Sequence, residues 1–236
     1  MNQQFLTELK AVTAENRIFT DESMKKHTTF RVGGPADILV QPKGTELAAV
    51  IRLCRKYDVP YQVIGNGSNL LVGDRGIRGL VIEMLSKEDE ICVEDDCITV
   101  GAGMLLSKTA NRAADHGLTG MEFAAGIPGS IGGAVVMNAG AYGGEMKDIL
   151  TAVTVLDQEG NEKILSAEEL ELGYRTSCIL KKGYIVTGAK IKLKHGEETA
   201  IRARMEELKK QRVEKRLNIR VREVHLKDRK DILQEN

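Results

Sequence analysis

Residues 126–144 read GIPGSIGGAVVMNAGAYGG and contain seven of the 24 glycines in the chain. Side chains this small cannot fill a core by themselves, so the backbone is expected to stay accessible and to find hydrogen-bond partners elsewhere. A flat, phosphate-bearing ligand could lie against such a backbone, which predicts a ligand-binding segment. A flexible linker fits less well, because Gly/Ser linkers lack the apolar side chains that recur here. These are Ile127, Ile131, Val135, Val136 and Met137.

A second glycine segment, GNGSNL at residues 65–70, directly follows the apolar run VPYQVI. The run predicts a strand, and the glycines after it allow backbone N–H groups to face outward as a concave anion-binding nest. Ser68 and Asn69 would add side-chain donors. The pattern is not the dinucleotide-binding fingerprint, since Leu70 stands at the third glycine position and no helix clearly begins there. A plain strand–turn–strand connection explains the glycines equally well, and both interpretations stay open.

The segment GYRTS, residues 173–177, places an arginine after an aromatic residue. The planar guanidinium of Arg175 could hold a carboxylate through two hydrogen bonds. We expect the segment to lead from a helix into a strand, and on the residues alone a surface arginine is the favoured interpretation. Three scattered histidines are typical of turn or surface positions rather than of a catalytic set. These are His27, His116 and His195.

Composition indicates an ordinary globular protein of 236 residues, 42% of them hydrophobic. The 34 basic residues balance the 34 acidic ones, which argues against recruitment of nucleic acid or an anionic membrane. No apolar run approaches the ~20 residues that span a bilayer, and the N-terminus lacks the apolar stretch of a signal peptide, so we expect a cytoplasmic protein. The four cysteines show no metal or disulfide spacing and are expected to be buried free thiols. These are Cys54, Cys92, Cys97 and Cys178.

Hydrophobic periodicity predicts two small α/β units followed by a helix and a tail. The first unit, residues 1–85, has a helix over residues 1–16, an extended segment over 30–44 and a second helix that Thr45 caps. Strands follow at VPYQVI and LVIEM, so the unit is similar to a βαβ arrangement. The inward stripes of the two helices are Phe5, Leu6, Leu9 and Val12, then Leu47, Val50, Ile51 and Cys54.

The second unit, residues 86–196, starts near Lys87 with two strands that meet at the turn Asp95-Asp96. A helix over LLSKTANRAADHG follows, which Gly117 can close in the left-handed conformation. A hairpin that turns at Glu159-Gly160 and the strand YIVTGAKIKLK complete the unit. Residues 197–216 predict a basic amphipathic helix, and 217–236 a charged tail without a helical stripe.

The motifs HTTFRVGGPAD, IGNGSNLLV, GIPGSIGGAVVMNAGAYGGE and YRTS occur in an order and spacing that resemble UDP-N-acetylenolpyruvoylglucosamine reductases, also called UDP-N-acetylmuramate dehydrogenases. The resemblance covers roughly residues 26–214. It implies an α+β fold in which two small α/β subdomains of the FAD-binding PCMH type (vanillyl-alcohol-oxidase-like) sandwich a non-covalent FAD, with a terminal helix. It also implies a monomer that passes hydride from NADPH through FAD to the enolpyruvyl double bond of a sugar nucleotide, a step of peptidoglycan synthesis.

The same resemblance assigns the site residues. Two segments would embrace the FAD pyrophosphate and ribityl chain, and a third would lie near the flavin. The cofactor-binding residues are Asn66, Gly67, Ser68, Asn69 and Leu70; Gly126, Pro128, Gly129, Ser130, Gly132 and Gly133; and Asn138, Gly140, Ala141 and Tyr142. Tyr174 and Arg175 would bind substrate, and Arg175 would hold the enolpyruvyl carboxylate and stabilise the charge that develops there. No metal ligand is implied.

The last twenty or so residues depart from the family, which continues with a substrate-binding domain containing a segment like YPSAGSxFKRP with a proton-donating serine, and later a catalytic glutamate. Neither occurs in the 236 residues, which end LNIRVREVHLKDRKDILQEN. Permitted codons for these residues, read in the neighbouring frame, encode EYPSAGSTFKRPEGYFAG, and two bases of each hidden codon are nearly fixed. We therefore expect a frameshift near residues 215–217, an out-of-frame tail and a chain impaired as a reductase. A solvated tail is the plainer interpretation.

Two other functions remain open. A stand-alone FAD-binding module without reductase activity is the main alternative. Another FAD oxidase of the same broad fold is the weaker one, because no histidine or cysteine is recognisable as a covalent flavin attachment site.

Overall fold

The computed structural model describes residues 3–85 and 91–231, with side chains through Glu214. The first subdomain is a four-stranded sheet with two helices. Its strand order is β1-β2-β4-β3, in which β2 and β3 run parallel to β4 and β1 is antiparallel to β2. Its elements are α1 (Gln3–Val12), β1 (Ile18–Ser23), β2 (Pro35–Val40), α2 (Glu46–Lys56), β3 (Tyr61–Ile64) and β4 (Ile77–Glu83).

Strand β4 lies inside this sheet, and its side chains alternate between two cores as the period of a strand requires. Leu80 and Ile82 pack with the stripes of α1 and α2, whereas Val81 faces the other side. The two predicted helices are confirmed, but the cap is not: Thr45 makes no side-chain capping hydrogen bond. The Glu46 carboxylate instead accepts the N–H of Lys43 at 2.8 Å and both Arg17 guanidinium nitrogens at 2.7 Å.

The second subdomain is a five-stranded antiparallel sheet of order β11-β10-β12-β6-β5, covered by helices. Its strands and helices begin with β5 (Ile91–Glu94), β6 (Cys97–Gly101), α3 (Leu106–Asp115), β7 (Leu118–Thr119), α4 (Ile131–Val136), β8 (Gly140–Ala141) and β9 (Gly144–Glu145). They continue with β10 (Leu150–Leu156), β11 (Glu162–Ser166), α5 (Cys178–Lys182), β12 (Ile185–Lys192), β13 (Lys194–His195) and α6 (Glu198–Asp231).

The predicted turns of this subdomain are confirmed. Gly117 and Gly160 have φ angles of 63° and 74°, the left-handed conformation that glycine adopts without strain. At the β10–β11 turn the Asp157 carboxylate accepts the N–H groups of Asn161 and Glu159, each at 2.9 Å, and contacts the Lys163 ammonium at 3.1 Å. These hydrogen bonds, led by that of Asn161, lower the pKa of Asp157 to about 2.

Several predictions differ from the structure. Helix α4 occupies part of the glycine segment, whose backbone we expected to stay accessible, and α6 continues through residues 217–231, which we predicted as a tail. The boundary near Lys87 and residues 232–236 lie outside the described part of the chain. Only two cysteines are buried: burial raises the pKa of Cys54 to about 12, and Cys178 lies in the larger core, whereas Cys92 is exposed and Cys97 partly exposed.

The two subdomains meet along one end of the second sheet. Leu156 of β10 and Ile185 of β12 belong to the core of the first subdomain, so this core crosses the boundary. Arg52 of α2 adds a hydrogen bond of 2.9 Å to the Gly160 carbonyl. An open cleft remains beside this contact.

Candidate functional site

The cleft between the subdomains has a volume of about 810 Å³, within the range of small-molecule sites. The first subdomain contributes β3, which lies at the edge of its sheet, and the loop 65–70 that follows it. The second subdomain contributes segments within 127–140 and 175–186, and α6 adds Arg212. Both glycine segments therefore face one space.

Most of the predicted site residues line this cleft. Those that do are Asn66, Gly67, Ser68, Asn69, Leu70, Pro128, Gly129, Ser130, Gly132, Gly133, Gly140 and Arg175. Those that do not are Gly126, Asn138, Ala141, Tyr142 and Tyr174. Tyr174 is 93% exposed.

The loop at residues 66–70 offers backbone donors to the cleft. Among the described residues, the N–H groups of Asn66, Gly67, Ser68 and Asn69 have no hydrogen-bond partner. Gly67 has a φ of 58°, and a Cβ there would lie 1.9 Å from the His27 carbonyl oxygen. The Gly67 carbonyl accepts the N–H of Thr29 at 3.2 Å, so the segment around His27 supports the loop from behind. This geometry is that of an anion-binding nest.

His27 lies just after a 3₁₀ helix, in keeping with the predicted turn or surface position, but its side chain is largely buried. Its ring is 12% exposed and lies between two carboxylates, with Nδ1 at 3.0 Å from Glu83 and Nε2 at 3.2 Å from Glu22. The carboxamide of Gln41 donates to the other oxygen of Glu83 at 2.7 Å. His116 and His195 are exposed, as predicted.

The second glycine segment is partly satisfied by the protein itself, which corrects the expectation that its backbone stays accessible. The N–H groups of Ile131 and Gly132 donate at 2.8 Å to the carbonyls of Met104 and Ala102. Ser130 accepts the N–H of Gly133 and so caps α4. The sequence missed this short helix because its interior glycines lower helix propensity, and tertiary hydrogen bonds offset that cost.

The two glycine segments contact each other. The Ser68 hydroxyl donates to the Pro128 carbonyl at 2.9 Å. Gly65 lies so close to Ser130 that a Cβ on it would stand 2.0 Å from the Ser130 Oγ. Gly129, with a φ of 145°, passes beside Ser68 in a backbone conformation that side chains rarely adopt. Both segments thus form one continuous surface across the domain boundary.

Arg175 lies in a tight turn at the rim of the cleft. Gly173 and Thr176 exchange backbone hydrogen bonds of 3.1 and 3.3 Å around it, and Arg175 itself has a φ of 54°. The turn precedes the helix α5, so the expected passage from a helix into a strand is wrong. The arginine side chain is exposed and has no acidic partner among the described residues.

Asn138 does not line the cleft but is bonded to the turn that carries Arg175. It is 4% exposed, and its amide donates to the Gly173 carbonyl at 3.2 Å and to Glu145 at 2.6 Å. Its oxygen accepts the N–H of Lys147 at 2.9 Å. The Lys147 ammonium, and to a smaller extent Asn138, lowers the pKa of Glu145. Asn138 therefore joins the glycine segment to the turn that carries Arg175.

The charge of the cleft is positive. Among the described residues that line it, the charged side chains are Arg175 and Arg212, and none is acidic. Such a lining favours an anionic ligand. No group of three or more possible metal ligands occurs among the described residues, and none of the described helices is long and apolar enough to cross a membrane.

Sequence patterns missed one end of the cleft. Tyr61–Ile64, Met84 and Gly183–Val186 line it, although their apolar character indicates only core positions. Arg212 was missed as well, because on a basic helix it is one cation among many. Gly65 and Gly183 are the sequence features that could have indicated that the backbone comes close to other groups at this end of the cleft.

The fold and the cleft define a two-part α+β FAD-binding domain. A family model described as "FAD binding domain" matches residues 36–166, more than half of the chain. The solved structure of p-cresol methylhydroxylase shares the fold at 15% identity, with a TM-score of 0.61, over 83% of this chain and 44% of that protein.

The sequence comparisons define the family more narrowly. UDP-N-acetylenolpyruvoylglucosamine reductase of Agathobacter rectalis is 48% identical over 91% of this chain and 72% of that enzyme, and the enzyme of Clostridium tetani is 51% identical over 89% and 68%. The crystal structure of UDP-N-acetylenolpyruvylglucosamine reductase from Thermus caldophilus is 42% identical, with a TM-score of 0.69, over 80% of this chain and 67% of that one. The chain belongs to the UDP-N-acetylenolpyruvoylglucosamine reductase family.

Proposed function

We propose that the chain binds one FAD non-covalently in the cleft between its subdomains. The observation that carries this proposal is the run of N–H groups at Asn66–Asn69 that have no partner among the described residues, in a loop that lines a cleft without acidic side chains. Backbone N–H groups arranged in this way bind phosphate oxygens, and charge-assisted hydrogen bonds are the stronger ones. The residues therefore fit a cofactor that carries a diphosphate.

The surface opposite this loop suits the remaining length of the cofactor. Gly129 and Gly133 leave the backbone of the second segment uncovered where it lines the cleft. The apolar side chains of Ile127, Val136 and Ile179 offer contacts for a flat ring system. The segment Asn138–Tyr142 would support the flavin end indirectly, since only Gly140 of its predicted ligands lines the cleft.

We assign the chain to the reaction of its relatives, reduction of an enolpyruvyl sugar nucleotide with NADPH in peptidoglycan precursor synthesis. FAD, when bound, would accept hydride from NADPH and donate it to the substrate. Arg175 would bind the substrate carboxylate with its planar guanidinium and stabilise negative charge there. Asn138 would hold the Arg175 turn in position, and Tyr174 would reach the substrate only from the rim. We expect the protein to act as a cytoplasmic monomer.

We further propose that residues 217–236 are read out of frame and that the 236-residue chain is consequently impaired. The support is the uninterrupted family motif in the neighbouring frame, with the serine that would protonate the substrate carbanion formed by hydride transfer. General acid–base groups are typically worth ~10²–10⁴-fold in rate.

Two measurements test these proposals. The DNA sequence across Lys215 shows directly whether the hidden motif is encoded. Turnover of the enolpyruvyl sugar nucleotide, followed by NADPH oxidation, is then compared between the 236-residue chain and a frame-restored protein. We expect low or no turnover by the former and efficient turnover by the latter. Efficient turnover by the 236-residue chain would refute the impairment, and an inactive restored protein would refute the frameshift.

A stand-alone FAD-binding module is the second candidate. One observation favours it: every sequence-predicted cofactor-binding residue that lines the cleft lies within residues 66–140, before α6 begins. A chain that holds FAD and is reduced by NADPH, but never turns over the sugar nucleotide even after frame restoration, would favour this candidate.

A further inference from the structure

Arg212 occupies a defined position at the cleft that its place in a basic helix does not reveal. Helix α6 packs on the turn Glu122–Ala124, and Ile201 and Leu208 are buried in that contact. This orientation turns Arg212 toward the second glycine segment. A Cβ on Gly126 would stand 3.1 Å from the Arg212 Nε, so the guanidinium packs closely against the backbone of Gly126.

The other side of the guanidinium faces an aromatic ring. The Arg212 Cζ lies 5.9 Å from the ring centroid of Tyr142, within the range of a cation–π contact. Tyr142 and Gly143 form the two-residue turn between β8 and β9, with φ angles of 54° and 86°. Positive φ at both positions is the type I′ pattern, which is uncommon for tyrosine. The turn holds the ring against Arg212.

The guanidinium is thus fixed in position but not neutralised. Arg212 is half-buried, lines the cleft and forms no ion pair among the described residues. Arg175 lies on the same side, since Asn138 joins its turn to the segment that carries Tyr142. A partly buried cation without a partner favours an anionic ligand, because the ligand restores the interactions that burial removes.

We propose that Arg212 is a cofactor-binding residue that holds an anionic oxygen of FAD. The inference rests on the proposed function, since it requires FAD in this cleft. The anionic oxygen has two sources: the diphosphate, which is charged in both redox states, and the ring, which carries a negative charge after uptake of two electrons and one proton. Arg212 lines the cleft and packs against Gly126, at the start of the segment that contacts the phosphate-binding loop. This position places the guanidinium beside the cofactor proposed for the cleft.

The test measures FAD affinity and reduction potential in the 236-residue chain. The variants are Arg212→Gln, which removes the charge, and Arg212→Lys, which keeps the charge but loses the fork. Arg204→Gln is the matched control, because Arg204 is exposed on the same helix and its ion pair among the described side chains is with Glu207, at 2.6 Å. Each variant is checked by thermal melting without FAD, which detects a merely structural effect.

If Arg212 binds the diphosphate, Arg212→Gln raises the dissociation constant of oxidised FAD about tenfold or more, as expected for one charge-assisted hydrogen bond. If it faces the ring, affinity for oxidised FAD is kept and the reduction potential falls by about 30 mV for each tenfold loss of preference for the reduced form. Arg212→Lys should recover part of either effect, and Arg204→Gln should match the wild type.

Unchanged FAD affinity and reduction potential in a folded Arg212→Gln protein would overturn this inference and leave the proposed function standing. An equal loss of melting temperature and FAD affinity in Arg212→Gln and Arg204→Gln would also overturn it, since the helix rather than the cation would then be responsible. Failure of the wild-type chain to bind FAD would overturn both this inference and the proposed function.

Discussion

Gly67→Ala tests the phosphate-binding loop most sharply, because the added methyl group meets backbone and not a movable side chain. Its Cβ would lie 1.9 Å from the His27 carbonyl oxygen and 2.9 Å from the carbonyl carbon. The φ of 58° adds about 1–2 kcal/mol of strain for a residue with a Cβ. The loop must therefore shift, and the N–H groups of Asn66–Asn69 shift with it.

The effect on FAD follows from these donors. Charge-assisted hydrogen bonds are worth about 1.5–3 kcal/mol each, so loss of two weakens binding by at least ~3 kcal/mol, or about 100-fold in Kd. The strain alone should lower the melting temperature by roughly 2–8 °C for a protein of this size. FAD titration followed by flavin fluorescence gives the first quantity, and thermal unfolding of the FAD-free protein gives the second.

Gly73→Ala is the matched control. Gly73 lies a few residues along the same loop, and a Cβ there would meet no atom within 4 Å. We expect wild-type affinity and stability for this variant. A folded Gly67→Ala protein that binds FAD as tightly as Gly73→Ala would refute the role assigned to the loop.

Three further predictions concern other parts of the chain. Gly129→Val should weaken FAD binding, because a φ of 145° disfavours a β-branched residue beside Ser68. Gly132→Val should mainly lower the melting temperature, since its Cβ would stand 3.0 Å from that of Ala102. Unchanged FAD affinity in a folded Gly129→Val protein would contradict the first expectation. Arg175→Ala, made in a frame-restored protein, should abolish most turnover while FAD affinity is kept, and Arg175→Lys should not restore turnover because it lacks the fork; equal turnover of Arg175→Ala and wild type would remove this role. Asp157→Ala should lower the urea midpoint of unfolding at neutral pH. Because the pKa of Asp157 is lowered from 3.8 to about 2, this difference from wild type should vanish as the pH falls from about 4 through about 2. A difference that persists below pH 2 would show that the charge of Asp157 is not its source.

Local sequence patterns predicted much of the fold. The stripes of α1 and α2 and the turns at Asp95-Asp96 and Glu159-Gly160 follow from periodicity and from residues that tolerate positive φ. Helix α4 could not be predicted in this way, because Gly132 and Gly133 disfavour a helix and its stability comes from carbonyl groups of the remote residues Ala102 and Met104.

In the candidate site, too, some residues could be predicted from local sequence and others only from the tertiary structure. The glycine segments were visible because close backbone approach selects glycine over other residues. Tyr61–Ile64 and Arg212 became visible only when the tertiary fold placed an edge strand and a helix beside those segments. Asn138 was predicted to bind FAD, but its amide donates to the Gly173 carbonyl instead. Residue spacing along the chain does not distinguish these two roles.

The visible absorption spectrum of the purified chain, after reconstitution with excess FAD and removal of unbound cofactor, tests the central claim most directly. We predict a yellow protein with one FAD per chain, released intact on denaturation, and a reduced amount in Gly67→Ala but not in Gly73→Ala. A colourless wild-type protein under these conditions would contradict the claim that this cleft is an FAD site.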